Sequence, residues 1–133
     1  MYSNIFLYVL LILFFSGCGV RQDFNGNHEV EIRDFITSQK EKLPKQVDIN
    51  TDWVDIKTES NKIIYVYKLR MDYVSNNDIL RIKNYYNYGR KNIEICNLVN
   101  NIFDGDIIYE YLYLNSSNKF IFKVDFSKKN CSF

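Results

Sequence analysis

An unbroken apolar run, Ile5 to Phe15, ends in Phe15-Ser16-Gly17-Cys18, and this pattern takes the first seventeen residues out of whatever domain the chain folds into. Two small residues before a cysteine, directly after a run of signal-peptide length, are what lipoprotein maturation needs: a narrow scissile site and a thiol to carry lipid. As a helix the run would rise only about 16 Å, against a bilayer core of about 30 Å, which is too short for a lasting transmembrane helix. An uncleaved anchor and ordinary secretion are the alternatives; the segment before Ile5 has no Lys or Arg, and Phe15 stands where such boxes usually have Leu. Acyl chains such as palmitate contribute about 0.8 kcal/mol per buried methylene, so a multiply acylated Cys18 stays at a membrane surface. The expected organisation is a signal peptide over 1–17, a tether over 18–27 and a single domain over 28–133.

Cysteine usage follows from that compartment. With Cys18 carrying lipid, Cys96 and Cys131 remain as an even pair in an oxidising space, and a disulfide between them is the economical reading. Closing so long a loop is worth roughly 4 kcal/mol in the chain-entropy model. The alternative is two unpaired buried thiols. The 17 basic and 16 acidic residues nearly cancel and all lie after position 20, which argues against a nucleic-acid partner or a polybasic membrane patch.

Periodicity supplies the elements. Ile32, Phe35, Ile36 and Leu43 fall at helical spacing over 28–43, with Glu29 and Glu31 early, Lys40 and Lys42 late, and Pro44 as the stop. Val47 to Lys57 reads as a weaker strand interrupted at Asn50-Thr51-Asp52. Lys62 to Met71 alternates cleanly, with Ile63, Tyr65, Tyr67, Leu69 and Met71 on one face, and the two strands suggest a hairpin. Ser75-Asn76-Asn77-Asp78 opens a second helix with a capping-box-like start, and Gly89 weakens its middle by roughly 1 kcal/mol. Asp106 to Leu114 and Lys119 to Phe126 form a second hairpin around Asn115-Ser116-Ser117-Asn118. The expected fold class is α+β, in the order helix-strand-strand-helix-strand-strand: an antiparallel four-stranded sheet with two helices on one face and one disulfide.

Catalytic signals are weak. His28 is the only histidine and sits beside the tether, where a solvated side chain is the expected state. Neither a metal set, nor a cofactor motif, nor a nucleophile elbow is present, and Asp104-Gly105-Asp106 reads as a turn before a strand. The expectation is no enzyme, no cofactor and no metal. Aromatic density says more: nine of the 11 tyrosines follow the signal, among them Tyr65, Tyr67, Tyr73, Tyr109, Tyr111 and Tyr113. A phenol buried without a hydrogen-bond partner is costly, so several hydroxyls are expected at a surface or a groove rim, although tyrosines filling one sheet face is the plainer alternative. Tyr85, Tyr86, Tyr88 and Arg90 cluster on the second helix and carry the residue types that protein-binding sites favour; they are the candidate partner-binding residues.

From the second helix onward the order of features resembles the S-type pilotin lipoproteins of type II secretion, in the branch with an α/β fold. The features that match are Cys18, Cys96 after the second helix, Gly105 before the Tyr109-x-Tyr111 strand, a hairpin, and Cys131 closing the chain. In that family the lipoprotein binds a short C-terminal segment of its secretin and brings it to the outer membrane. The resemblance implies that Cys18 is the lipid site and Cys96 to Cys131 the disulfide. It also implies that Gly19, not being Asp, directs the protein to the outer membrane, facing the periplasm. The competing expectation is an immunity or inhibitor lipoprotein that neutralises a periplasmic toxin or enzyme; a structural lipoprotein with no dedicated site is the third.

Overall fold

The computed structural model describes residues 26–88, 90–102 and 107–131. The expected signal peptide, Cys18 with most of its tether, and the Asp104-Gly105-Asp106 turn lie outside the described residues. The first helix, α1, spans Gly26–Lys40. Its Ile32 and Ile36, one turn apart, are buried, and Glu29 and Lys40 sit at the ends where the helix dipole favours their charges. Three further residues close the helix by turn hydrogen bonds from Glu41, Lys42 and Leu43, and Pro44 ends it.

Beyond Pro44 the structure departs from the sequence expectation. The interrupted strand over 47–57 is two strands: β1, Lys45–Asp48, and β2, Thr51–Glu59, paired antiparallel through a two-residue turn. The Asp48 carboxylate accepts the Asn50 backbone N–H at 2.8 Å, so the polar residues that read as an interruption of one strand form the turn between two. Strand β2 pairs with β3, Lys62–Leu69, as the expected hairpin, with a bulge at Val54 and Ser60 at positive φ in the turn.

The second helix is two consecutive segments, α2, Asn76–Tyr88, and α3, Arg90–Ile102, with Gly89 between them. Ser75 caps α2: its hydroxyl accepts the Asp78 backbone N–H at 3.1 Å and donates to the Asp78 carboxylate at 2.6 Å. Strands β4, Ile108–Leu114, and β5, Phe120–Phe126, form the expected second hairpin, followed by a 3₁₀ turn, Lys128–Asn130.

The sheet therefore has five strands rather than four, in the order β1-β2-β3-β4-β5, and it is mixed: β4 lies parallel to β3, with Lys62 beside Ile108. The two helical segments carry the chain back to the end of the sheet where β3 began, so the next strand must run the same way. All three helical segments contribute to one core on one sheet face, around Ile56, Ile63, Leu69, Tyr109 and Phe126. Cys96 lies within α3 rather than after it. Its sulfur stands 2.12 Å from that of Cys131, with the Cα atoms 5.6 Å apart, so α3 is joined to the chain just beyond β5. On the opposite face Glu110 is held between Lys123 at 2.9 Å and Lys62 at 3.1 Å.

Candidate functional site: a tyrosine-floored groove

Register decides where the tyrosines go. Tyr67, Tyr109, Tyr111 and Tyr113 all point to the helix-covered face and are buried, with Tyr65 half-buried beside them. They form a row of rings across the sheet: Trp53 to Tyr65 at 5.5 Å between centroids, Tyr65 to Tyr111 at 5.1 Å, Tyr67 to Tyr113 at 5.2 Å and Tyr113 to Phe122 at 4.6 Å. Offset ring pairs at these separations add to what area burial alone provides. The plainer sequence alternative, tyrosines filling a sheet face, describes these strands.

Of the candidate partner-binding residues, Tyr85 and Tyr88 are exposed, at 51% and 86%, whereas Tyr86 is only 3% exposed and belongs to the core. Tyr85 and Tyr86 are adjacent on a helix and so point about 100° apart; only one can face the sheet. The Tyr86 ring packs tilted against Tyr111 at 4.5 Å between centroids, and its hydroxyl bonds that of Tyr113 at 2.7 Å. The Arg90 and His28 side chains lie outside the described residues.

Between α2 and the β1–β2 turn the same face opens into two adjoining cavities of about 320 and 290 Å3. They share Asp48, Thr51, Tyr85 and Tyr113; Arg81 and Ile82 extend one, and Val47, Tyr67, Tyr86 and Lys91 the other. Together they make a groove with a tyrosine floor, one wall from α2 and the start of α3, and the other from the short edge strand β1. Val47 and Ile49 leave apolar surface exposed on the β1 side, and Tyr85 does so opposite. The sequence reading found Tyr85 but missed Asp48, Thr51, Tyr67 and Tyr113 as groove residues. Asp48-Ile49-Asn50 read as an Asx turn would have placed β1 and hence this wall.

The floor carries no charge at physiological pH. Burial pushes the Tyr113 hydroxyl up to about 12, with the bond to Tyr86 acting against the rise and the nearby Asp48 charge adding to it. Burial, aided by neighbouring tyrosines, also raises Tyr67 and Tyr86. The groove thus offers apolar ring surface with neutral hydroxyls set into it, which suits an amphipathic segment better than a reacting substrate. Among the described residues no three His, Cys, Asp or Glu side chains converge to hold a metal, and no described helix is long and apolar enough to cross a membrane.

No protein-family model and no curated protein matches the sequence. Solved structures do share its architecture. The pilotin EpsS of the Vibrio vulnificus type 2 secretion system superposes with a TM-score of 0.58 at 14% identity, over 82% of this chain and 99% of EpsS. The pilotin AspS of the Vibrio cholerae type II secretion system gives 0.54 at 12% identity, over 79% and 93%. The chain shares the fold of these two pilotins. A protein of Pseudomonas aeruginosa described as secreted shares it too, with a TM-score of 0.55 at 12% identity over 80% and 94%. The likeness extends well beyond the features from the second helix onward that first suggested it.

Proposed function

We propose that this protein is a pilotin-like envelope lipoprotein, anchored through lipid on Cys18, that receives a C-terminal segment of a secretin in the groove between α2 and β1 and escorts it to the outer membrane. The observation that carries the reading is the combination of the pilotin fold, spanning nearly all of the EpsS chain, with an open aromatic groove on the same domain. A helix or extended segment laid in such a groove would bury its apolar side chains on Tyr67 and Tyr113 and against Tyr85. The role is binding and not turnover. The toxin-neutralising alternative gains no support from the fold or from the groove.

The test is capture of a synthetic peptide covering the C-terminal segment of the secretin from the same organism, followed by fluorescence anisotropy. Tyr85→Glu places a charge on the α2 wall at a position already half exposed, and it should abolish capture while leaving the melting temperature unchanged. Peptide binding unaffected by Tyr85→Glu, or no binding by the wild type, would refute the groove as the secretin site.

A further inference from the structure

The groove's charges are not equivalent. Arg81 is paired with Asp78 at 3.2 Å and Lys91 with Glu94 at 3.6 Å, each within its own helical segment. Asp48 lines both cavities and makes no ion pair with a described residue. Arg70, which feels the Asp48 charge, is committed to Asp52 through two hydrogen bonds of 2.9 and 2.7 Å. One Asp48 oxygen accepts the Asn50 N–H; the other is left for an incoming donor.

Beside it the floor is rich in acceptors. The Tyr86 and Tyr113 hydroxyls together carry two hydrogens and four lone pairs, and their mutual bond at 2.7 Å uses one of each. Three lone pairs remain against one hydrogen. The Thr51 hydroxyl, on a buried residue lining the same cavities, adds a further acceptor. Around these groups a carboxylate would meet mostly lone pairs and the Asp48 charge, whereas an ammonium or guanidinium would meet acceptors, the two lining cations, Arg81 and Lys91, each being held by a carboxylate of its own helix. A planar guanidinium fork holds its donors in a fixed plane that can span a carboxylate and a hydroxyl together, whereas an ammonium bridges two acceptors only as a compact point charge with no preferred plane.

We infer that the groove recognises a basic side chain of its partner, best an arginine, seated between the Asp48 carboxylate and the Tyr86–Tyr113 hydroxyl pair. This rests on the groove being the partner site and adds the chemistry of what it selects. Apolar side chains of the bound segment supply area on the rings, and the arginine fixes register, because elsewhere in the groove the cations already have carboxylate partners.

The experiment uses the purified full-length protein in detergent micelles and compares wild type with Asp48→Asn. Asparagine keeps an oxygen to accept the Asn50 N–H, so the β1–β2 turn survives and only the charge is removed; an unchanged melting temperature checks this. Arginine amide is titrated first, followed through the NMR signals of Tyr86 and Tyr113, and then the secretin peptide with each Arg or Lys changed to Gln in turn. The wild type should bind the peptide about fivefold more tightly than Asp48→Asn. Its affinity should fall with added salt more steeply, and one Gln substitution should reproduce the loss. Equal affinities and equal salt dependence would overturn the inference while leaving the groove as the secretin site. Arginine amide that shifts Tyr86 and Tyr113 only when Asp48 is present, with a peptide that does not bind at all, would instead sustain the inference and refute the secretin reading.

Discussion

Breaking the link between Cys96 and Cys131 is expected to cost this domain more than any single surface change. The two residues are 35 positions apart, and the loop they close contains the rest of α3, both strands of the β4–β5 hairpin and the 3₁₀ turn. Loop-closure entropy for that length amounts to about 4 kcal/mol, which the reduced unfolded chain recovers. With about 2.1 cal/mol/K of unfolding entropy per residue, a domain of roughly one hundred residues has about 0.2 kcal/mol/K in total, so the melting temperature should fall by about 15 to 20 °C. Cys131→Ser is the cleaner substitution, because Cys131 is half-buried, whereas Cys96 is wholly buried and a serine there would add the cost of an enclosed hydroxyl. Thermal unfolding followed by circular dichroism, with and without reductant, measures the effect. The wild type should melt lower in reductant, and Cys131→Ser should be indifferent to it. A wild-type melting temperature that does not move on reduction would refute the reasoning.

Other outcomes rest on particular contacts. Tyr86→Phe and Tyr113→Phe should each destabilise by about 1 kcal/mol, and the double variant by less than the sum, since the second change removes a group whose partner has already gone; urea unfolding of all four proteins measures the coupling. Burial alone would raise the pKa of Glu110, but the hydrogen bonds from Lys123 and Lys62 outweigh it and hold the carboxyl below its ordinary range. Its stabilisation is therefore complete above the unfolded glutamate pKa of about 4.3, and it is lost as pH falls through the folded value. Glu110→Gln should flatten the acid limb of the stability profile there, and an acid limb of unchanged slope would rule the triad out as its source. Cys18→Ser should leave the protein folded but move it from the membrane fraction to the soluble one on ultracentrifugation; retention in the membrane would mean that the apolar segment from Ile5 to Phe15 stays as an anchor.

Most elements could be read from the sequence because each has a local cause. Ser75 and Asp78 announce the start of α2 by a hydrogen bond three residues long, and alternation marks β3, β4 and β5 without reference to anything else in the chain. Pairing has no such local cause. Ile63-Ile64-Tyr65-Val66-Tyr67 and Ile107-Ile108-Tyr109 are apolar on both faces, which is the mark of inner strands with neighbours on each side and is what parallel pairing through a crossover requires. Reading only the alternation found both hairpins but put them in an all-antiparallel sheet, and so missed the parallel pairing of β3 with β4. At Asn50-Thr51-Asp52 polar residues read as the weakness of one strand, when the hydrogen bond from Asn50 to Asp48 makes them a turn between two.

The groove was hidden for the same reason, one level up. Its floor depends on Tyr67 and Tyr113 becoming neighbours, and they do so only because β4 lies parallel to β3 in a register that sets the two residues side by side. Its polar centre depends on Tyr86 reaching Tyr113 from a helix 27 residues earlier. In sequence, Tyr85, Tyr86 and Tyr88 have the same composition signal, and nothing distinguishes the ring that will be enclosed from the two that will meet solvent until the sheet beneath α2 is fixed. Asp48 carries the least signal of all, one acid among 16, since what sets it apart is that it lines the groove with no ion-pair partner among the described residues. A site made of shared rings and one uncompensated charge is a property of pairing, so it becomes visible only once the topology has been worked out.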